Sequence, residues 1–203
     1  MKNFIAISGN IGIGKSTLTK KLAEHYGWKL YLEPVTENPY LKDFYGDMKK
    51  WAFHSQMYFL GKRLEDHYRL VKEKKSVVQD RSLYENAEVF AKNLYRRKFI
   101  STRDWRVYQQ IYRTCVKLLP PPDLVIYLKA SVDKIMERIQ ARGREFEKDI
   151  DRKYISDLND LYDEWIGNFK LCKVITISYD DLDLKNSTVD FDAFREAVGG
   201  YLK

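Results

Sequence analysis

Residues 9–16, which read "GNIGIGKS", decide the fold of this chain. They satisfy the pattern G-x-x-x-x-G-K-[ST] and lie between the apolar run of residues 4–7 and a helical pattern over residues 15–26, which is the context that a phosphate-binding loop requires. The glycines let backbone N–H groups surround phosphates, Lys15 supplies charge for the β and γ oxygens, and the Ser16 hydroxyl is a ligand for Mg²⁺. A glycine-rich turn without a ligand would not explain Lys15 and Ser16 in register at the helix start. The sequence therefore predicts a nucleoside triphosphate site.

Short apolar runs alternate with longer stretches of helical periodicity along the chain. Strands that alternate with helices predict an α/β fold with a five-stranded parallel sheet that carries helices on both faces. No linker, repeat or low-complexity tract divides the chain, so residues 1–203 are expected to form a single domain. Strands are predicted at residues 4–7, 30–32, 77–78, 124–128 and 174–177, and helices at 15–26, 46–74, 83–97, 101–118, from 131 onward, at 151–169 and at 190–202.

The overall charge indicates an anionic ligand. The chain has 203 residues with 36 Lys and Arg against 29 Asp and Glu, a formal charge of +7. Basic residues alternate with acids over much of the chain, which is typical of solvated helix surfaces and not of a polynucleotide-binding stripe. Cys115 and Cys172 lie in amphipathic or apolar segments and are predicted to be buried free thiols. With no leader and no apolar stretch of membrane-spanning length, we expect a soluble cytoplasmic protein that binds neither a membrane nor a nucleic acid polymer.

Charged residues follow two of the predicted strands. Glu33 comes after the second strand and before Pro34, while Asp80 and Arg81 follow the apolar end of the third. The carboxyl ends of parallel strands form one edge where ligands bind, so we expect these side chains to lie near the phosphate loop. A carboxylate there either accepts a proton from an attacking hydroxyl group or holds a metal ion.

Five segments together resemble the deoxyribonucleoside kinase family, which includes deoxycytidine, deoxyguanosine and deoxyadenosine kinases. They are "GNIGIGKST", "LEPVTENPY", "QDRSLYENAEVFAKNLY", "LVIYLKAS" and "RIQARGR", and their order and spacing are kept over nearly the whole chain. The Asn-Pro-Tyr sequence after Glu33 and Pro34 is most similar to compact bacterial purine-type members. The resemblance implies a P-loop kinase fold with an arginine-rich lid at about residues 142–149. It also implies ATP as phosphate donor, Mg²⁺, and a homodimer formed through helices such as 46–74 and 83–97.

The same resemblance implies roles for individual residues. Glu33 would be the general base for the 5′-hydroxyl, Asp80 would coordinate or position Mg²⁺ together with Ser16, and Arg81 would hold the reacting oxygen and the phosphates. Tyr45 and Glu147 would hold the sugar 3′-hydroxyl. The residues expected to bind the donor are Gly9, Asn10, Ile11, Gly12, Ile13, Gly14, Lys15, Ser16, Thr17, Arg138, Arg142 and Arg144. The segment "YDDLDLKN" near the C-terminus resembles the loop that contacts the adenine of the donor.

The base-binding residues are expected on two helices. Gln56, Leu60 and Arg63 have the spacing of one helix face and match positions near the base, and Phe90 matches the ring that stacks on it. Asn86 stands where purine- and cytosine-directed relatives have aspartate, and Asn38 stands where several relatives have tryptophan.

Asn86 and Arg63 bear on which base is bound. Asparagine both donates and accepts hydrogen bonds, which suits adenine, although guanine or cytosine would be bound after an amide flip. Arg63 argues against the thymidine-directed branch. Deoxyadenosine is therefore the expected substrate, with deoxyguanosine and deoxycytidine as alternatives.

Two other functions compete with this interpretation. A nucleoside monophosphate kinase of the thymidylate-kinase type also combines a phosphate loop with Glu-Pro and Asp-Arg, but its acceptor is an anion that requires nearby cations. Lys42 is the only cation between Glu33 and Tyr45, which favours a neutral hydroxyl acceptor. A P-loop module that binds polynucleotide or switches a partner would require a contiguous basic stripe or loops that sense the γ-phosphate, and the sequence shows neither.

Overall fold

The structure, a computed structural model, describes residues 2–33, 37–180 and 187–202. Its core is a five-stranded sheet in the order β2-β3-β1-β4-β5, and every neighbouring pair of strands is parallel. The predicted parallel sheet is confirmed. The strands are β1 (Phe4–Gly9), β2 (Lys29–Tyr31), β3 (Val77–Asp80), β4 (Leu124–Lys129) and β5 (Lys173–Ser178).

The central strands are buried because helices cover both faces of the sheet. All six residues of β1 and all four of β3 are buried. Asp80 is paired with Ile7 of β1 and is the last residue of β3, so it belongs to the strand and does not follow it as predicted. The two outer strands are less buried, and each begins with a lysine, Lys29 in β2 and Lys173 in β5.

Helices connect the strands. They are α1 (Lys15–Tyr26), α2 (Leu41–Gly46), α3 (Met48–Lys72), α4 (Leu83–Glu85), α5 (Lys92–Arg96), α6 (Thr102–Leu118), α7 (Val132–Arg142), α8 (Arg152–Asn168) and α9 (Thr188–Gly199). A π-helical segment, Asn86–Ala91, joins α4 to α5, and a 3₁₀ turn, Glu145–Glu147, follows α7.

Two helical features differ from the sequence prediction. The prediction of one helix over residues 46–74 missed α2, a six-residue helix whose first residue has no side-chain cap and which is held by burial of Leu41 and Phe44. Helix α3 begins at Met48 because the side chain of Asp47 accepts a hydrogen bond from Lys50 N at 3.0 Å. The helix predicted over 83–97 contains the π-helical segment, which no sequence pattern indicated.

The other boundaries agree with prediction to within a few residues. Strand β2 starts one residue earlier than predicted, and the last helix ends at Gly199. Cys115 and Cys172 are both free, but only Cys115 is buried, so the prediction of a buried thiol is wrong for Cys172. Within residues 2–33, 37–180 and 187–202, no helix has both the length and the apolar character that crossing a bilayer requires.

Candidate active site

A cavity of about 490 Å³ opens beside the phosphate loop, at the edge where β1 and β3 end. It contains most of the residues that the sequence singled out. Those that line it are Ile11, Gly12, Ile13, Gly14, Lys15, Ser16, Thr17, Glu33, Tyr45, Gln56, Arg81, Asn86, Phe90, Arg138, Arg142, Arg144 and Glu147. The converging strand ends therefore bring the predicted donor and acceptor residues into one space.

The phosphate loop is a tight turn that depends on glycine. Gly12 has φ 79°, and a Cβ atom there would lie 2.6 Å from Ile139 Cγ1 of α7. Lys15 Nζ donates hydrogen bonds to Gly9 O and Asn10 O, each at 2.8 Å. Burial and, after it, the charge of Arg81 lower the pKa of Lys15 to about 8. The lysine is thus buried against the carbonyl groups of its own loop.

Asn10 fixes this loop on α8. Its Nδ2 donates to Ile155 O at 2.9 Å and to Asn159 Oδ1 at 2.7 Å, and its Oδ1 accepts from Ile11 N at 2.7 Å. The side chain is 1% exposed and does not line the cavity. Its side-chain contacts are therefore with the protein, and only its backbone remains for a ligand.

Ser16 and Asp80 form a pair that fits a divalent cation. Ser16 Oγ donates a hydrogen bond to Asp80 Oδ2, and Asp80 Oδ1 is buried without a hydrogen-bond partner among the described residues. Mg²⁺ is usually held by one or two carboxylates together with phosphates and water. The described part of the chain has no cluster of three or more His, Cys, Asp or Glu residues.

Glu33 lies between two arginines at the carboxyl end of β2. Its Oε1 is 2.9 Å from Arg81 Nε and 3.2 Å from Arg63 Nη2. Burial raises the pKa of Glu33, but the charges of Arg81, Arg63 and Lys15 outweigh burial and lower it to about 2. Glu33 is therefore ionised at neutral pH. Arg63 is fully buried, and its Nη1 also donates to Asp80 O at 3.0 Å.

Arg81 has an unusual backbone conformation, with φ 68°. Non-glycine residues in this region carry strain that the surrounding structure must offset. Arg81 N donates to Ile7 O at 2.9 Å, and its guanidinium lies 4.3 Å from the centre of the Phe90 ring. Nη1 contacts Glu85 Oε1 at 3.1 Å and donates to Tyr162 OH at 2.9 Å.

Glu85 and Tyr162 were not predicted from the sequence. The four-residue spacing of Arg81 and Glu85 was no signal, because Arg81 precedes the predicted helix and lies outside α4. No sequence pattern linked Tyr162 to Arg81, because the two residues are 81 positions apart along the chain.

The far end of the cavity carries amide groups. Asn86 Nδ2 donates to Gln56 Oε1 at 3.4 Å and to Tyr108 OH at 3.3 Å. Phe90 lies on the same π-helical segment as Asn86. Leu60 and Arg63 do not line the cavity, because Leu60 packs in the core at 1% exposure and Arg63 is buried against Glu33.

Further lining residues were not predicted. They are Leu41, Phe44, Ser55, Phe59, Ala141, Tyr154 and Tyr179. Phe59 could have been predicted, because it follows Gln56 by three residues and Ser55 by four, and residues at these spacings are neighbours on a helix surface. Leu41 and Phe44 belong to α2, a helix that was not predicted from the sequence.

The arginines after β4 have two kinds of partner. Arg138 Nη1 donates to Ile13 O and its Nη2 to Tyr179 O, each at 3.0 Å. Arg142 and Arg144 both donate to the carboxylate of Glu147, the second at 3.4 Å. The segment predicted to be a lid is therefore a short ion-paired turn that closes one side of the cavity. Most of "YDDLDLKN" lies outside the described residues.

Comparison with known proteins identifies the family. The sequence model of the deoxynucleoside kinases matches residues 5–202. A deoxyadenosine/deoxycytidine kinase of Bacillus subtilis (strain 168) is 39% identical over 186 residues, which cover 91% of this chain and 86% of that protein. A deoxyguanosine kinase of the same strain is 34% identical over 199 residues and covers 93% and 92% of the two chains. The structure of deoxyadenosine kinase from M. mycoides with bound dATP aligns with a TM-score of 0.84 at 30% identity and covers 97% of this chain and 99% of that one. The resemblance found in the sequence is confirmed, and the chain belongs to the deoxynucleoside kinase family.

Proposed function

We propose that this deoxynucleoside kinase transfers the γ-phosphoryl group of ATP to the 5′-hydroxyl of deoxyadenosine. The observation that carries the proposal is an ionised carboxylate, Glu33, held between two arginines in the same cavity as the phosphate loop. The new bond joins the 5′-oxygen to the γ-phosphorus, the bond from that phosphorus to ADP breaks, and the hydroxyl proton passes to Glu33.

The donor phosphates are bound by groups that other parts of the chain hold in place. The N–H groups of the loop surround them, and Lys15 exchanges the carbonyls of Gly9 and Asn10 for phosphate oxygens. Arg138, Arg142 and Arg144 line this side and compensate negative charge. Ser16 Oγ and Asp80 Oδ1, which has no hydrogen-bond partner in the described part of the chain, would hold Mg²⁺, which when bound neutralises charge on the phosphates.

Glu33 acts on the acceptor mainly by orientation. With a pKa of about 2 it is a weak base, but it is ionised at neutral pH and accepts a hydrogen bond from the 5′-hydroxyl. Phosphoryl transfer passes through a largely dissociative transition state, so the proton leaves late and a positioned weak base is sufficient. Tyr45 and Glu147 line the cavity where the 3′-hydroxyl would lie.

The amide network supports an amino-substituted base. Because Asn86 Nδ2 is used by Gln56 and Tyr108, the groups left without a partner among the described residues are Asn86 Oδ1 and Gln56 Nε2. One acceptor and one donor match the amino group and the ring nitrogen of adenine, whereas guanine presents two acceptors on its corresponding edge. Cytosine, like adenine, has an amino group beside a ring nitrogen that accepts a hydrogen bond. Deoxycytidine is therefore the second candidate.

An ADP-release assay with four deoxynucleosides and their monophosphates tests this proposal. We expect the highest kcat/KM with deoxyadenosine, followed by deoxycytidine, and no ADP release without Mg²⁺. ADP release only with monophosphates would show a thymidylate-kinase-like enzyme, and binding of DNA without turnover would favour a polynucleotide-binding module. The homodimer and the cytoplasmic location expected from the sequence stay predictions, and sedimentation equilibrium measures the first.

A further inference from the structure

Two buried residues with no assigned role hold one end of the Arg81 guanidinium. Nε faces Glu33 at 2.9 Å, while Nη1 lies 3.1 Å from Glu85 Oε1 and donates to Tyr162 OH at 2.9 Å. Glu85 and Tyr162 are both 0% exposed. They reach Arg81 from separate elements, Glu85 from the end of α4 and Tyr162 from α8.

Tyr162 also connects Arg81 to the phosphate loop. Its hydroxyl donates to Gly9 O at 2.7 Å and lies 3.4 Å from Glu85 Oε1. Since a phenol has a single proton, this proton goes to Gly9 O, and the oxygen accepts from Arg81. The Gly9 carbonyl also accepts from Lys15 Nζ, so Arg81 and Lys15 are positioned from the same peptide group.

This arrangement costs stability if it serves only folding. Glu85 is a fully buried carboxyl group, and the backbone of Arg81 is strained at φ 68°. Well-packed apolar side chains of similar volume often stabilise a fold as well as a buried ion pair does. Buried charge and strain together are typical of a functional site.

We propose that Glu85 and Tyr162 are positioning residues for phosphoryl transfer, which fix the guanidinium of Arg81 between Glu33 and the phosphate loop. This inference rests on the proposed function, because it takes Arg81 to be the group that meets the reacting oxygen and the phosphates. Without the carboxylate of Glu85, Nη1 loses its charged partner, and the guanidinium of Arg81 keeps its contacts with Glu33, the hydroxyl of Tyr162 and the ring of Phe90.

The charged surroundings of Glu85 predict a pH effect. The residues that it faces are Arg81, Lys15 of α1, Arg63 of α3, Tyr162 of α8, Tyr127 of β4 and Ser8 of β1. Burial raises the pKa of Glu85 to about 7, against the opposing charges of Arg81 and Lys15.

As the pH falls below about 7, protonation of Glu85 removes the ion pair, and kcat should decrease. Glu33 stays ionised and Lys15 stays protonated in this range, since their pKa values are about 2 and about 8. We therefore expect the fall of kcat on the acid side of the pH profile to come from Glu85.

The test compares Glu85→Gln and Tyr162→Phe with two controls that lie outside the cavity. Glu164→Gln removes a carboxylate that pairs with Lys92 and Arg96, and Tyr95→Phe removes a hydroxyl from a ring stacked on Trp105. We expect kcat of both test variants to fall about 10- to 100-fold, because a misplacement of about 1 Å costs up to about 10²-fold in rate. KM for ATP and deoxynucleoside should stay within about threefold, and both controls should retain wild-type kcat.

The kcat–pH profile separates positioning from a structural role. Glu85→Gln should have no acid limb between about pH 5.5 and pH 7, whereas Tyr162→Phe should keep it. Wild-type kcat in Glu85→Gln, persistence of the limb, or a KM increase larger than the kcat loss would overturn the proposal. If Glu85→Gln does not fold, as judged by circular dichroism, unchanged kcat in Tyr162→Phe overturns it. Wild-type kcat in Glu33→Gln, measured beside them, would count against the proposed base and not against the positioning of Arg81.

Discussion

At the scale of single residues, the site is a balanced set of buried charges. Three cations and three anions lie together between the ends of the strands and the phosphate loop, and each is within ion-pair or hydrogen-bond reach of another member or of the loop. They are Lys15, Arg63, Arg81, Glu33, Asp80 and Glu85. Removal of one member leaves an opposite charge buried without compensation. The resulting loss of unfolding free energy is larger than the loss caused by breaking an exposed ion pair. Substitutions here are therefore expected to change chemistry and stability together.

The substitution Glu33→Gln tests the proposed base. The amide keeps the shape but accepts no proton, so we expect kcat to fall by at least about 10²-fold, the range of general base catalysis. KM for deoxyadenosine should change less than about threefold if Glu33 mainly serves the reaction. The control is Glu37→Gln, which removes an exposed carboxylate paired with Lys62. Turnover near that of the wild type would eliminate Glu33 as the base.

The substitution Asn86→Asp tests recognition of the base. An ionised aspartate donates no hydrogen bond to Gln56 or Tyr108, so Gln56 is expected to turn its amide and present its oxygen to the cavity. The ratio of kcat/KM for deoxyadenosine to that for deoxyguanosine should fall about tenfold, the effect of one mispaired polar group. KM for ATP is the internal control and should not change. An equal loss with every base would show that Asn86 does not contact the base.

At the scale of elements, the phosphate loop is positioned by helices from the second half of the chain. Asn10 is bonded to α8, and Gly12 packs against Ile139 of α7. Arg138 of α7 donates to Ile13 O in the same loop. The motif thus predicts the loop, but its precise placement depends on side chains more than 120 residues away along the chain.

Gly12→Ala should disturb this packing. The added Cβ would meet Ile139 Cγ1 at 2.6 Å and would stand at φ 79°, a conformation that alanine adopts only with strain. We expect Tm to fall and KM for ATP to rise about tenfold as the loop shifts, because one displaced phosphate contact is worth about 1.4 kcal/mol.

Gly167→Ala is the matched control. Gly167 lies in α8 with open space around its Cβ position, so alanine should leave KM unchanged and raise the unfolding free energy by up to about 1 kcal/mol. A Gly12→Ala enzyme with unchanged Tm and KM would contradict the close approach of α7.

The sequence predicted long periodic elements and the phosphate loop because both depend on local patterns. The strand β1 and the helix α1 are examples, and Gly9 to Thr17 lie where the motif requires. Helix α2 was missed because it is short and uncapped, and the π-helical segment has no sequence signature. Tyr108 and Tyr162 escaped because their contacts to Asn86 and Arg81 exist only in the folded chain.

At the scale of the whole molecule, the strand order creates the site. After β1 the chain forms β2 and β3 on one side of it and then crosses to β4 and β5 on the other. Ligands in doubly wound sheets bind at such a reversal point. The pairing of Ile7 with Asp80 sets the end of β3 beside the start of the phosphate loop. This strand register therefore positions both Asp80 and the loop that would bind the donor.

The buried charges predict how stability depends on pH. In the folded chain the pKa of Glu33 is lowered to about 2. Its contribution to the free energy of unfolding is therefore fully present above the unfolded pKa of 4.5, and it is lost as the pH falls from 4.5 towards 2. The raised pKa of Glu85 has the opposite effect. Its contribution to the free energy of unfolding is lost as the pH rises from 4.5 to about 7. Thermal unfolding of the wild type and of Glu33→Gln should therefore give a difference in Tm that is largest above about pH 5 and narrows in acid. A difference that does not depend on pH would contradict the ionised state of Glu33.

The edges of the sheet have a consequence for concentrated solutions of this protein. Exposed edge strands are templates for pairing with other chains, which leads to aggregation. Here β2 is only three residues long, and both β2 and β5 begin with a lysine, Lys29 and Lys173. The short β2 and the lysine at the start of each edge strand disfavour pairing with neighbouring molecules, which protects the sheet against aggregation.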